Sequence, residues 1–107
     1  MQRIGLLLNV RPEKLEEYRR LHNPIPADLA AELKAAGISN YSLWLRPDGV
    51  EFGYLECEDW EASCEYLKDA PAHVKWQEQM REFLLSPVDE SQGGQPVELL
   101  EMAFLLP

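Results

Sequence analysis

The triplet Pro47, Asp48, Gly49 constrains this chain more than any other feature, because it separates two alternating segments, S-N-Y-S-L-W-L-R at 39–46 and V-E-F-G-Y-L-E-C at 50–57. Proline presets φ, aspartate bonds back to the nearby backbone and glycine takes up positive φ, so each residue favours a tight turn for its own reason. Two strands joined by so short a turn form an antiparallel β-hairpin. The hairpin lies mid-chain, and whatever precedes and follows it must fit a sheet that already has two antiparallel strands.

On the N-terminal side, Arg3 to Val10 is a short apolar run ended by Pro12, which suits a strand. From Glu13 the period changes: Leu15, Tyr18 and Leu21 or His22 recur at helical spacing with charged residues between them, so a first helix runs to about His22. After Pro24 and Pro26, a second helical face of Leu29, Ala30, Leu33 and Ala36 ends at Gly37, a C-cap glycine. The C-terminal side repeats the plan. Asp59 is placed to cap a helix over 60–68, Pro71 breaks the pattern, and H-V-K-W-Q-E-Q-M-R-E-F-L-L resumes it over 73–85. Ser86 to Pro96 reads as a polar loop and Val97 to Pro107 as a last strand. The order β-α-β-β-α-β predicts one ferredoxin-like α+β domain over 1–107, a four-stranded antiparallel sheet with helices on one face. The first and last strands offer apolar side chains on both faces, which a sheet facing only water would not carry. A second copy packing sheet against sheet resolves this, so a symmetric homodimer is expected.

Composition narrows the function. The net charge of -9 repels phosphate backbones and anionic lipid surfaces, so neither nucleic acid nor membrane is an expected partner. No run approaches the ~20 apolar residues that span a bilayer, and Ile4 to Leu8 is too short for a signal-peptide core, so a soluble cytoplasmic protein is expected. Cys57 and Cys64 stand seven apart with no histidine at metal spacing. They read as buried thiols in a reducing compartment, with no metal site and no disulfide. A chain of 107 residues hides roughly 65% of its unfolded surface, enough for a core but not for a large internal cavity.

The residues fit for chemistry are few. Tyr18 and His22 are four apart and share one helix face, and His22 precedes Asn23-Pro24, where a helix must end. An imidazole at an accessible helix end can give and take protons at neutral pH; equally, it can simply cap the helix. Tyr41 opens the second strand and Trp76 lies on the last helix, so both could meet Tyr18 and His22 over one end of the sheet, as an aromatic and hydroxyl-bearing pocket for a carbohydrate. His73 reads as a partly exposed first-turn residue, and the paired carboxylates read as solvated faces or turns. No H-E-x-x-H, G-x-S-x-G or Ser-His-Asp motif is present.

Four stretches carry a resemblance: the start M-Q-R-I-G-L-L-L-N-V-R-P-E-K-L-E-E-Y-R-R-L-H-N-P-I, then G-I-S-N-Y-S-L-W-L, V-K-W-Q-E-Q-M and the terminal F-L-L-P. Over nearly its whole length the chain resembles the L-rhamnose mutarotase family, most specifically in E-Y-x-x-x-H-N-P-I joined to a distant N-Y. The resemblance implies a cytoplasmic dimeric α+β barrel that interconverts the anomers of a monosaccharide without a cofactor. It implies His22 as the proton donor and Tyr18, Tyr41 and Trp76 as sugar contacts; the chemistry of ring opening puts His22 as the acid at the ring oxygen and leaves the base open. Two positions depart from the family pattern. Pro26 and Gln77 stand where tryptophans are usual, so Gln77 is expected to offer its amide to a sugar hydroxyl and the preference for rhamnose to be loosened. The same architecture also hosts haem-dependent monooxygenases and non-catalytic binding modules, for which His22 and His73 are the available axial ligands.

Overall fold

The computed structural model describes residues 1–85 and 97–107, so the expected loop from Ser86 to Pro96 lies outside the described residues. In chain order the elements are β1 (Gln2–Asn9), a 3₁₀ turn (Pro12–Lys14), α1 (Leu15–Leu21), α2 (Ala27–Ala35), β2 (Ser39–Leu45), β3 (Val50–Cys57), α3 (Trp60–Lys68), α4 (Pro71–Met80) and β4 (Glu98–Leu100). The strands form one antiparallel sheet in the order β2-β3-β1-β4. This is the expected ferredoxin-like arrangement.

The turn residues act as their chemistry dictates. Gly49 N–H donates to Arg46 O at 3.0 Å and Arg46 N–H to Val50 O at 2.9 Å, closing the hairpin. Gly49 has φ +95°, and a Cβ there would lie 2.1 Å from the Val10 carbonyl oxygen, so only glycine fits. Gly37 closes α2 with a Schellman pair, its N–H on Lys34 O and the Ile38 N–H on Leu33 O. Asp59 Oδ1 accepts from Ala62 N at 3.3 Å as the N-cap of α3. No such residue precedes α4. Instead Glu32 of α2 accepts from the backbone N–H groups of Ala72 at 3.1 Å and His73 at 2.8 Å, capping α4 from outside and tying the two helices together.

Inward-facing strand residues and the helices form two adjoining cores. Leu6, Leu55 and Cys57 pack with Ile38, Trp60, Cys64 and Leu67. Leu8 and Val10 pack with Tyr18, Leu29, Trp76, Met80 and Phe83. Both cysteines are buried, as expected.

Two expectations change. Helix α4 stops at Met80 rather than running to Leu85, because burial of Phe83 and pairing with β1 override the helical period. Leu84 bridges Val10, Arg11 N–H donates to Phe83 O at 2.7 Å and Leu85 N–H to Asn9 O at 2.8 Å. The last strand is only Glu98–Leu100. Beyond it Met102, Phe104 and Leu106 are 52%, 79% and 79% exposed, so among the described residues this apolar run is left largely uncovered.

Candidate functional site

A cavity of about 610 Å³ opens beside the β2 edge, larger than the chain length led us to expect and within the range that takes one small molecule. Its lining joins α1 and the segment after it (Tyr18, His22, Asn23, Ile25), β2 (Tyr41, Trp44), β3 (Glu51) and α4 (Trp76).

Helix α1 supplies the centre. His22 is its C-cap, and the exposed helix end inferred from sequence proves to be half-buried. Its Nδ1–H donates to Tyr18 O at 2.7 Å, while Asn23 Nδ2 donates to Arg19 O at 2.7 Å, so two carbonyls of the last turn are satisfied by side chains. Capping and chemistry are therefore compatible in one residue. With Nδ1 committed to a carbonyl, Nε2 has no hydrogen-bond partner among the described residues. The ring lies 4.3 Å from the Tyr18 ring and meets Trp76 edge-on at 5.0 Å, centroid to centroid. Burial lowers the His22 pKa, only partly offset by the Tyr18 carbonyl, and the imidazole rests neutral at pH 7.

Tyr41 reaches the cavity through a bulge. Ser39 pairs with Glu56 and Ser42 with Tyr54, so Asn40 and Tyr41 oppose the single residue Leu55. Asn40 adopts φ +50°, a conformation asparagine tolerates, and its Nδ2 donates to Glu56 Oε1 at 2.8 Å. The bulge turns Tyr41 inward beside Tyr18.

Glu51 is the residue the sequence reading missed. It is 1% exposed, and Tyr18 Oη–H donates to its Oε1 at 2.9 Å. Its Oε2 is the one buried side-chain polar atom without a partner among the described residues. Burial pushes the Glu51 carboxyl up to about 7, against a smaller opposing effect of the Tyr18 hydrogen bond. Both phenols are pushed above their ordinary range: Tyr18 by burial and then by the Glu51 charge and hydrogen bond, Tyr41 by burial and then by the Glu51 charge. They remain neutral donors at physiological pH. The available signal was phase, since Glu51 lies in register with the inward residues Gly53, Leu55 and Cys57 and out of register with Glu56.

Thus Tyr18, His22, Tyr41 and Trp76 converge on one cavity, whereas Gln77 and Pro26 are not among its lining residues. The Gln77 amide faces His73 instead, Nε2 to Nε2 at 3.2 Å. His73 is 2% exposed rather than a partly exposed first-turn residue, and its Nδ1 bonds Leu67 O at 3.1 Å. With Nδ1 tied to α3 and Nε2 to Gln77 of its own helix, it is not placed as an axial ligand to this cavity. Among the described residues no group of three metal-ligating side chains converges, and no helix is long and apolar enough to cross a membrane.

Comparison with known proteins agrees on one family. Residues 3–106 match the family model described as L-rhamnose mutarotase. Proteins named L-rhamnose mutarotase from Opitutus terrae and Oceanobacillus iheyensis are 38% and 35% identical over 92 residues, covering 85% of this chain and 88% of each of theirs. That of Pectobacterium carotovorum is 35% identical over 108 residues, 99% of both chains. A solved structure of an L-rhamnose mutarotase from Formosa agariphila superposes over the whole of both chains with a TM-score of 0.80 at 17% identity, a likeness of fold.

Proposed function

We infer that this chain, which belongs to the L-rhamnose mutarotase family, is an isomerase that interconverts the α and β anomers of L-rhamnose, with the cavity beside β2 as its active site. The observation that supports the assignment of the site is His22: Nδ1 tied down and Nε2 without a partner among the described residues, in a cavity of about 610 Å³ lined by Tyr18, Tyr41 and Trp76.

Opening the hemiacetal removes a proton from the anomeric hydroxyl and adds one to the ring oxygen. Closure on the other face of the aldehyde reverses both moves and gives the other anomer. Because burial holds the imidazole neutral, His22 takes the anomeric proton at Nε2 during opening and is the donor during closure. The role at the ring oxygen expected of His22 from the chemistry of ring opening passes to another group. Tyr18 and Tyr41, both protonated, orient sugar hydroxyls, and Trp76 supplies an apolar plate. Gln77, held by His73, has no part in this reading.

The same reading takes the protein as a cytoplasmic homodimer. Trp44, Phe52 and Leu100 on the helix-free sheet face are 65%, 41% and 38% exposed, and the apolar run after β4 is exposed as well. Sedimentation should give about 25 kDa, twice the 12.3 kDa chain.

Saturation-transfer NMR of L-rhamnose tests the activity. Exchange between anomers should rise in proportion to protein concentration, and L-fucose, L-mannose and L-lyxose measured in parallel define the preference. A rate equal to that of buffer alone contradicts the assignment.

A further inference from the structure

Ring opening moves two protons, and His22 accounts for one. The other needs a group in the same cavity that holds a proton at neutral pH. Glu51 meets the requirement by position. Its side chain lines the cavity, is 1% exposed, and is fixed by the Tyr18 hydroxyl at 2.9 Å on Oε1. Since Tyr18 occupies Oε1 as donor, a carboxyl proton belongs on Oε2, the oxygen with no protein partner. A structural role for this carboxylate would call for a cation or a set of N–H donors. Among the described residues it has neither: β1 and β2 set Leu8 and Leu45 in register beside it, Tyr18 and Tyr41 face it as neutral phenols, His22 rests neutral, and Arg19, which also lines the cavity, is exposed.

We propose that Glu51 is the second catalytic residue: its Oε2 proton passes to the ring oxygen as the C1–O5 bond breaks, while His22 Nε2 takes the anomeric hydroxyl proton and C1=O1 forms. Closure returns one proton from His22 to the anomeric oxygen and one from the new hydroxyl to Glu51, so both groups end as they began and no co-reactant is consumed. The proposal rests on mutarotation as the reaction of this cavity. It also accounts for two weakly acidic phenols around the carboxyl: Tyr18 holds it by a hydrogen bond, Tyr41 lies near it, and neither supplies a countercharge. The working form carries a proton on Glu51 and none on His22. Raising the pH through about 7 removes the first, and lowering it below the ordinary histidine range adds the second.

The experiment is the pH profile of kcat/KM for anomer exchange in the wild type, Glu51→Gln and Glu51→Leu, with thermal melts beside it. The wild type should give a bell whose alkaline limb falls near pH 7. Glu51→Gln, which keeps the Tyr18 hydrogen bond but cannot give up a proton, should lose ~10²-fold in rate together with the alkaline limb. Glu51→Leu should lose as much while melting no lower than the wild type, which separates lost chemistry from lost folding. Rates for Glu51→Gln within threefold of wild type, with the alkaline limb intact, overturn the role of Glu51 and leave the mutarotase reading standing. A wild type no faster than buffer overturns both.

Discussion

The two cores beneath the sheet share strands β1 and β3 yet differ in what those strands point inward. Around Leu55 the contacts are apolar throughout, with Leu6, Trp60, Cys64 and Leu67 closing on one another. Four residues along the same face of β3 stands Glu51, and there Tyr18, His22 and Trp76 leave a cavity instead of filling it. On the proposed mechanism, one strand serves stability at one end and chemistry at the other. The difference teaches that a site in so small a domain does not need a separate layer. It needs one inward position given to a carboxyl and two helix residues that hydrogen-bond rather than pack.

Substitutions can break this contrast, and the largest effect should fall on the apolar side. Leu55→Ala removes a fully buried side chain and should cost about 4 kcal/mol in denaturant unfolding, with the rate per folded molecule unchanged. A comparable fall in exchange rate at full folding would mean that the two cores are not separable.

The second effect is a pH dependence. Glu51 is raised from 4.5 to about 7 on folding, so the native state binds the extra proton between those values and stability falls as pH rises across that window. The gap between wild type and Glu51→Leu should therefore widen by roughly 3 kcal/mol from pH 4.5 to pH 7 and stay level above it. His22 and His73 act in the opposite sense, both lowered chiefly by burial, adding stability as pH rises towards the ordinary histidine value. The comparison of variants sets their contribution aside. A gap independent of pH would show that Glu51 titrates as an ordinary carboxyl.

Smaller still is Tyr18→Phe, which keeps the ring stack on His22 and takes the donor from Glu51 Oε1. Urea melts should register a loss of about 1–2 kcal/mol, and exchange should slow by ~10-fold. An unchanged rate would detach the phenol from the site. Least of all, Glu32→Ala removes the cap that α2 lends to α4 and should cost about 1 kcal/mol, with exchange kinetics unaltered.

The hairpin, the helix-breaking prolines and the cap at Asp59 were legible because each is a local rule acting on adjacent residues. The ends of α4 and β4 were not, since Phe83 is drawn to the core and the run after Leu100 stays largely exposed among the described residues. Within the site, Tyr18 and His22 were readable from their spacing of four, and Tyr41 from its place at the head of β2. Gln77 was misread because the side chain next to Trp76 on a helix points a different way, here towards His73. Glu51 was hidden among the charged residues of an alternating strand. Only its phase with Leu55 and Cys57 marked it as inward.

The central claim is that His22 moves a proton in this cavity. Saturation-transfer NMR of L-rhamnose with His22→Asn, on protein shown by melting and sedimentation to be folded and in the wild-type state of assembly, tests it most directly. Catalysed exchange should drop by ~10²-fold or more, since asparagine can cap the helix but cannot carry a proton at neutral pH. A loss of under threefold, in protein that is otherwise unchanged, would contradict the claim and return His22 to the role of a helix cap.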